Sequence, residues 1–173
     1  MVEPAGDPLV QGLADGREEA FAALYDRFGP ALFQTARVIL RSGPDAEDAV
    51  QEVFIGLVRA RKELARVQNM RAYLFASLRR AAARIRASHK NAQSLPVDDV
   101  LQDKRATQSD ADLSMRLQRA VLALPDEQRE LIALKLDGGL TFAEIASVLA
   151  ISPNTAASRY RYALEKLRTS LQR

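Results

Sequence analysis

The sequence predicts an all-α protein built from two small helical domains. Segments with the apolar-polar alternation of strands are nearly absent, apolar residues recur at helical spacing, and glycine and proline fall mainly at plausible helix ends. Apolar residues make up 47% of the 173 residues, enough for a core in each domain. The expected boundaries are 7–90 for the first domain, 91–109 for a flexible linker and 110–173 for the second domain.

The first domain is expected to be a bundle of three or four helices. Its first helical face is formed by Phe21, Leu24, Tyr25 and Phe28, and Gly29-Pro30 is expected to interrupt that helix before Leu32–Leu40. The segment Ser42-Gly43-Pro44-Asp45 signals a helix start. The next apolar stripe consists of Ala49, Val50, Val53, Phe54, Leu57 and Val58. A third helix is expected from about Asn69 to Ser88, with an apolar side formed by Leu74, Leu78, Ala81, Ala82 and Ile85.

Helical periodicity is lost after Lys90 and resumes near Asp110. The intervening segment is rich in Asn, Gln, Ser and Asp, which is typical of a linker, and its acidic residues predict a negatively charged tether. In the second domain one face is expected to contain Leu113, Leu117, Val121 and Leu124. Another helix is expected after Pro125, with Leu131, Ile132, Leu134 and Leu136, and Gly138-Gly139 is expected to end it.

The stretch from Thr141 to Arg168 predicts a helix-turn-helix. Thr141 and Glu144 form a T-x-x-E capping box, and Ser152 with Pro153 starts a second, basic helix after a short turn. In such a motif the second helix enters the major groove of DNA. The apolar side of that helix is expected to contain Ala156, Tyr160, Ala163, Leu164, Leu167 and Leu171. The candidate DNA-binding residues over its first turns are Asn154, Thr155, Ser158, Arg159 and Arg161.

Composition narrows the function classes. Cysteine is absent, which excludes disulfides, thiolate metal sites and a Cys nucleophile. No secretory signal and no apolar run of membrane-spanning length is visible, so we expect a cytoplasmic protein without membrane insertion of its own. Neither a glycine-rich phosphate loop nor a nucleophile–base pair is evident. We therefore expect no catalysis, no cofactor and no metal.

Charge is segregated along the chain although the net charge is only +3. Four acids and no base lie between Asp45 and Glu52, whereas seven Lys or Arg and no acid lie between Leu64 and Val97. Acids near a helix N-terminus favour the helix dipole, which explains the first acids but hardly all four together with Gln51. The segregation predicts two different partner surfaces.

The segment DAEDAVQEVF, from Asp45 to Phe54, resembles the core-binding segment of bacterial sigma factors. Together with the helix-turn-helix, it identifies the chain as similar to the small extracytoplasmic-function group of the sigma-70 family. Phe21 to Ser88 resembles the family's region 2, and Leu113 to Leu171 resembles its region 4. The resemblance implies core RNA polymerase and promoter DNA as partners, and leaves open whether an anti-sigma factor also binds.

The resemblance also implies residue roles. Core polymerase would be bound by Asp45, Asp48, Gln51 and Glu52. The minus-ten promoter element would be bound by Arg71, Tyr73, Arg79, Arg80, Arg84 and Arg86. The connection 61–69 would hold a flipped base, and region 4 would bind the minus-thirty-five element. Four positions depart from the family pattern: Arg80 and Arg84 replace an Asn and an Asp, Tyr73 replaces a Trp, and Ala150 replaces the turn glycine.

Two alternatives stand beside this interpretation. The first is a helix-turn-helix regulator whose N-terminal bundle senses a signal or dimerises; such a regulator has no need for the acidic helix. The second is an interaction protein that mimics a sigma factor and sequesters another protein, against which the basic recognition helix argues. Because the two domains are expected to bury little against each other, a partner could set their arrangement.

Overall fold

The computed structural model describes residues 8–92 and 108–172, with side chains for residues 8–90 and 112–172, and these residues form only helices and connecting turns. The N-terminal region comprises α1 (Pro8–Ala14), α2 (Glu18–Leu40), α3 (Gly43–Arg59), a 3₁₀ helix (Arg61–Arg66) and α4 (Met70–Ala92). The C-terminal region comprises α5 (Gln108–Leu122), α6 (Asp126–Leu136), α7 (Phe142–Leu149) and α8 (Pro153–Leu171). The all-α prediction is confirmed; the predicted acidic tether lies largely outside the described residues.

In the N-terminal region, α2, α3 and α4 pack against one another, and α1 packs on α2 and the 3₁₀ helix. The predicted start of α3 is confirmed, since Ser42 is its N-cap and accepts a hydrogen bond from the Asp45 backbone at 3.3 Å. The predicted interruption at Gly29-Pro30 is wrong: α2 continues through Pro30. The missing N–H of a proline costs a helix one hydrogen bond. The packing of buried Leu24, Phe28 and Leu32 on both sides of that point holds the helix together.

In the C-terminal region, α8 packs against α5, α6 and α7. The predicted capping box is present at α7, and Ser152 caps α8 with Pro153 in its first turn. Ala150 ends α7 in the left-handed conformation, with φ 55° and ψ 46°. At this turn position the family that the sequence resembles commonly has glycine, so an L side chain occupies a conformation that glycine adopts without steric cost.

The two regions share one hydrophobic core. Buried residues of α2, α3 and α4 form a single cluster with buried residues of the C-terminal region, among them Leu131, Leu134, Leu140 and Ile145. The contacts run mainly between α2 and α6 and between α4 and α7. The expectation that the two regions bury little against each other is therefore wrong. Polarity along the chain predicted a linker, but two domains joined by a linker can still pack together.

Close approach between the regions depends on a glycine. A Cβ atom on Gly138 would lie 2.6 Å from the Leu134 carbonyl oxygen and 3.0 Å from the Phe75 ring. Phe75, in α4, is fully buried. A side chain at position 138 would therefore force the α6–α7 turn away from α4.

Several residues predicted to face the core are exposed instead. They are Tyr25, Val58, Leu113, Leu117 and Leu164. Each lies on an otherwise apolar face, and helical spacing alone does not show where that face leaves the core. A second, smaller core holds α8 to α5 and α6; it consists of Ala120, Leu124, Ile132, Ala163 and Leu167.

Candidate functional site

The predicted core-binding residues lie along α3 in different environments. Asp48 and Gln51 are exposed. Glu52 is partly exposed and accepts a hydrogen bond from Arg84 Nε at 2.8 Å. Asp45 is mostly covered, and its Oδ1 lies 3.0 Å from Nε2 of His89. Asp48 and Gln51 thus form a free acidic and amide surface in the middle of α3, whereas the carboxylate of Asp45, in the first turn of α3, contacts α4.

A groove with aromatic walls borders this surface. It has a volume of 590 Å³ and is lined by side chains of α2 and α3, including Tyr25, Phe33, Gln51 and Phe54. The rings of Tyr25 and Phe54 meet edge to face, with centroids 5.1 Å apart. The groove explains why Tyr25 is half exposed although it belongs to the apolar face of α2. Gln51 connects the groove with the exposed acidic surface.

Three of the arginines predicted for the minus-ten element face the C-terminal region. Arg71 donates from Nη1 to the Gly138 carbonyl oxygen at 2.8 Å, and its guanidinium lies over the ring of Phe28. Arg79 pairs with Glu130 through Nε and Oε1 at 3.0 Å. Arg86 donates to the Ile39 carbonyl oxygen and lies 3.9 Å from Asp126. These arginines are engaged by protein groups.

The remaining predicted residues of α4 lie elsewhere on the helix. Arg80 is exposed and donates to Ser77 Oγ at 2.8 Å. Arg84 is exposed and pairs with Glu52. Tyr73 is partly buried and packs against the shared core. The predicted polymerase surface and the predicted minus-ten surface therefore meet at the Glu52–Arg84 pair.

The predicted residues of α8 are more accessible. Asn154, Thr155 and Arg161 are exposed, and Ser158 is half-buried and accepts a hydrogen bond from Arg161 at 3.3 Å. Thr155 takes part in the cap, because its backbone donates to Ser152 Oγ at 3.0 Å. Arg159 pairs with Glu127 of α6 at 3.0 Å. The first turns of α8 present polar groups to solvent, as reading of a DNA groove requires.

A buried arginine joins α6 to α2. Only 3% of the Arg129 side chain is exposed, yet its guanidinium has several acceptors. Nε donates to the Val38 carbonyl oxygen at 3.1 Å, and Nη1 donates to the Leu124 carbonyl oxygen at 2.8 Å. Nη2 donates to Asp126 at 2.6 Å. A buried guanidinium with this many acceptors is stable, whereas loss of its donors leaves buried carbonyls unpaired.

Two carboxylates have lowered pKa values at the junction, the place where the N-terminal and C-terminal regions meet. Burial opposes ionisation of Asp126, but Arg129, Arg86 and Arg41 outweigh it, so the pKa of Asp126 lies below its ordinary value. Burial also opposes ionisation of Glu144, but its hydrogen bonds and a nearby arginine lower its pKa. One of those bonds comes from Asn69 Nδ2 at 2.6 Å, across the junction. Stability from such groups is present above their unfolded pKa and is lost as pH falls through the lowered pKa.

Sequence reasoning missed the groups that hold the two regions together. Arg129, Asp126 and Glu130 were not singled out, because they belong to a helix whose apolar residues alone were considered. A signal existed: Asp126, Glu127 and Glu130 crowd the first turns of α6, in the same way as the acids of α3. His89, in the last turn of α4, contacts Asp45 of α3 and adds to the packing of these two helices.

None of the helices within residues 8–92 and 108–172 has the length and apolar character needed to cross a membrane.

The family described as Sigma-70 region 2 matches residues 24–92, and the family described as Sigma-70, region 4 matches residues 114–167. Between them the two matches cover most of the chain. The helix-turn-helix is thus one half of a two-part match, which argues against a regulator that shares only this motif.

Curated relatives match over nearly the full length. The ECF RNA polymerase sigma factor SigK of Mycobacterium ulcerans (strain Agy99) is 30% identical over 174 residues, covering 94% of this chain and 91% of the relative. The RNA polymerase sigma factor CarQ of Myxococcus xanthus is 28% identical over 160 residues, covering 91% of this chain and 92% of CarQ.

Solved structures agree in fold. CnrH, determined in complex with the cytosolic domain of CnrY, superposes with a TM-score of 0.72 at 26% identity, over 98% of both chains. The sigma factor RpoE of Bartonella quintana, determined with the anti-sigma factor NepR, also gives a TM-score of 0.72, at 21% identity over 89% of this chain and 98% of RpoE. The chain belongs to the sigma-70 family, in its extracytoplasmic-function group, and is a sigma factor that binds core RNA polymerase and directs promoter recognition.

Proposed function

We propose that three surfaces of this sigma factor divide the work of initiation, and that the protein itself catalyses no reaction. One surface binds core polymerase, one binds the minus-ten element and one binds the minus-thirty-five element. The domains that carry them are residues 7–90 and 110–173, joined by the linker 91–109. Because the partner is RNA polymerase, the place of action is the cytoplasm. The observation that supports the proposal is an exposed acidic surface on α3 that adjoins exposed arginines of α4, together with exposed polar side chains on the first turns of α8.

Core polymerase binds, in this proposal, to Asp45, Asp48, Gln51 and Glu52. Asp48 and Gln51 are exposed and lie beside the groove of Tyr25, Phe33 and Phe54, which supplies apolar contact area next to the charges. An interface that combines an apolar centre with a polar rim suits a specific protein partner. Asp45 reaches this surface only if its contact with His89 opens.

The minus-ten element binds along α4. Arg80 and Arg84 are exposed and supply charge for phosphates, and Tyr73 offers a ring for a base if it turns out of the core edge. Arg71, Arg79 and Arg86 join them when α6 and the α6–α7 turn move away. A flipped base of the melted strand is held near residues 61–69, where the 3₁₀ helix leads into α4. Extruding a base costs a few kcal/mol, which polymerase shares.

The minus-thirty-five element binds as duplex at the first turns of α8. Arg161 and Asn154 are exposed and can reach base edges or phosphates. Thr155, Ser158 and Arg159 lie on the same turns. Ala157 contributes no polar group at a position that faces the groove.

A regulatory protein is a further proposed partner. Support comes from CnrH, which was determined in complex with the cytosolic domain of CnrY and matches this chain over nearly its whole length. Such a protein cannot simply occupy a gap between the two regions, because they already share a core. It binds around the closed arrangement or replaces the contacts between α2 and α6.

The division of labour can be tested with purified core polymerase and a promoter library. Replacing Arg161 and Ser158 with Ala should relax sequence preference at the upstream element, because a good base contact contributes about 1–3 kcal/mol. Replacing Arg80 and Arg84 with Ala should instead weaken open-complex formation at all promoters and flatten its salt dependence.

Permanganate reactivity of unpaired thymines separates the two defects, and pre-melted templates should rescue the second variant better than the first. Arg168→Ala is a matched control, since Arg168 is exposed in the last turn of α8, away from the proposed contacts. Equal loss of closed-duplex binding by both double variants, with melting unchanged, would refute the assignment of these surfaces.

A further inference from the structure

A cavity of 340 Å³ lies where the ends of four helices meet, namely the end of α2, the first turn of α3, the last turns of α4 and the start of α6. One part of its wall is formed by Ile39 and Leu40, and the rest of its lining is charged or titratable. Small-molecule sites commonly have volumes of about 300–1,000 Å³. The cavity is therefore large enough for a small ligand that carries a charged group.

Positive charge exceeds negative charge in the lining of this cavity. Four side chains with a permanent positive charge line it, but only two carboxylates do so. The four are Arg41, Arg86, Lys90 and Arg129, and the carboxylates are Asp45 and Asp126. With His89 neutral, two positive charges are left uncompensated. A phosphate group carries about 1.5 to 2 negative charges at pH 7, so one phosphate group would balance the lining.

Backbone carbonyl groups hold the arginines of the cavity in place. Arg86 donates from Nη2 to the Ile39 carbonyl oxygen, and Arg41 donates from Nη2 to the Leu122 carbonyl oxygen at 3.2 Å. Arg129 donates from Nε to the Val38 carbonyl oxygen at 3.1 Å. A carbonyl oxygen orients a guanidinium group without neutralising its charge. The positive charge of these side chains therefore remains available to an anion in the cavity.

Lys90 and the start of α6 add hydrogen-bond donors at the cavity. Lys90 is exposed in the last turn of α4 and has no hydrogen-bond or ion-pair partner among the side chains described for residues 8–90 and 112–172. The helix α6 begins at Asp126, and its N-cap residue, Pro125, provides no side-chain acceptor for the first backbone N–H groups. The N-terminus of a helix favours a negative charge for this reason.

The ionisation of Asp126 is consistent with a positive potential in the cavity. Burial opposes ionisation of this carboxyl group, but Arg129, Arg86 and Arg41 lower its pKa below the ordinary value. All three arginines line the cavity. The same positive potential favours the negative charge of a ligand.

We propose that this cavity binds the phosphate group of a small phosphorylated compound. Arg86 and Lys90 bind the phosphate oxygens, and Arg41 adds positive charge at the wall of the cavity. Ile39 and Leu40 border the organic part of the ligand. The proposal goes beyond the polymerase and promoter contacts and does not depend on them. Because Arg86 is also a proposed minus-ten contact, the test uses other residues of the cavity.

The test is a titration of the isotope-labelled full-length chain, followed by the NMR signals of its backbone amides. The ligands are inorganic phosphate and AMP, added at an ionic strength kept constant with sodium chloride. Adenosine is the matched control ligand, since it has the organic part of AMP without the phosphate. Phosphate and AMP should shift amides of the cavity wall, in residues 39–45, 86–90 and 126–129, and adenosine should leave them unchanged. Shifts spread over the basic surface of α8 instead would overturn the proposal.

Two variants assign the binding to the cavity. Lys90→Gln should weaken phosphate binding about two- to fivefold, because it removes one exposed positive charge. Lys166→Gln is its matched control, an exposed lysine of α8 outside the cavity, and should bind phosphate as the parent chain does. The double variant Arg41→Gln, Lys90→Gln should lose about tenfold or more, since a hydrogen bond from a guanidinium to phosphate is stronger than an exposed ion pair.

The control for the double variant is Arg119→Gln, Lys166→Gln, at two exposed positions outside the cavity. Circular dichroism checks that all variants remain helical, and Lys90→Gln keeps the test valid if Arg41→Gln disturbs the fold. Equal phosphate affinity of Lys90→Gln and Lys166→Gln would refute the proposed site.

A DNA backbone is the other source of phosphate groups, and a competition experiment separates the two. A mixed-sequence duplex is added to the chain that already holds inorganic phosphate. If the duplex shifts the amides of the cavity wall and displaces phosphate, the cavity belongs to the DNA surface and the small-molecule proposal fails. If phosphate stays bound while the duplex shifts amides elsewhere, the cavity is a separate site.

Discussion

The two helices that carry the proposed DNA surfaces differ in how much of that surface is free. In α8 the polar residues of the first turns face solvent, and only Arg159 has a carboxylate partner. In α4 three of six proposed residues contact the C-terminal region. The helix proposed to read intact duplex is thus largely open, and the helix proposed to meet melted DNA is partly covered. In the proposed function, opening of the chain is therefore needed for the later step of initiation more than for the first.

The difference has a physical origin in what lies beneath each helix. Beneath the later turns of α8 is the small core of Leu167, Ala163 and Ile132, which belongs to one region, whereas Ala156 in the first turns belongs to the shared core. Beneath the covered side of α4 is Phe75, which touches the α6–α7 turn at Gly138. Apolar contact between the regions thus determines which arginines of α4 are covered. Their ion pairs with the C-terminal region form as a result of that packing.

Removing the apolar contact under α4 should have the largest effect. Phe75→Ala should lower the free energy of unfolding by about 3–5 kcal/mol, the usual cost of emptying a large buried site. Because Phe75 lies where the regions meet, the variant should also raise the radius of gyration before it unfolds. Urea titration and small-angle X-ray scattering measure the two effects.

Leu167→Ala is the control for this comparison. This substitution also removes a large buried side chain, but from the small core under α8. It should lower the free energy of unfolding by about 2–5 kcal/mol without separating the regions. An unchanged radius in the Phe75→Ala chain would show that Phe75 does not hold α4 against the C-terminal region.

Arg129 should have the next largest effect. Arg129→Met preserves most of the volume but leaves the Val38 and Leu124 carbonyl oxygens without their donor, a loss of about 2–3 kcal/mol. Arg129→Lys should recover only part of this, because an ammonium cannot reproduce the fork of a guanidinium. Urea titration of both variants provides the measurement; a full recovery by lysine would mean that charge, and not the fork, holds α6 to α2.

The smallest effect is expected at Ala150 and concerns α8 alone. Ala150→Gly relieves the left-handed conformation at the turn, and the greater freedom of glycine in the unfolded chain offsets part of that gain. A net increase of about 0.5–1 kcal/mol in the free energy of unfolding is expected. The radius of gyration should not change. Destabilisation would indicate that the Ala150 methyl group packs favourably in the turn.

Local features were predictable from sequence because their causes are local. The Ser42 cap, the Thr141–Glu144 capping box and the three-residue turn before α8 all depend on residues a few positions apart. Pro30 was misleading because tertiary packing on both sides of it outweighs one missing hydrogen bond. Leu113 and Leu164 were predicted to lie on apolar helix faces, but both are exposed. Helical spacing identifies the residues that share a face and does not show what that face packs against.

The candidate site was predictable in its residue types but not in its present contacts. Arg80 and Asp48 are exposed, as their proposed roles in binding DNA and core polymerase require. The engagement of Arg79 by Glu130 joins residues 51 positions apart, and no local pattern specifies which acid meets which arginine. Which face of α4 is covered depends on how the two regions pack together, and no local sequence pattern specifies that packing.

The dependence of Phe75 on the α6–α7 turn has a consequence for synthesis of the chain. Ribosomes add roughly 5–20 residues per second, so several seconds separate the emergence of Phe75 from that of Leu140. During this interval the nascent N-terminal bundle lacks the α6–α7 turn that lies against Phe75 in the finished protein. Newly made chains are therefore most vulnerable to chaperone capture and proteolysis at the α4 face, and completion of the C-terminus ends that vulnerability.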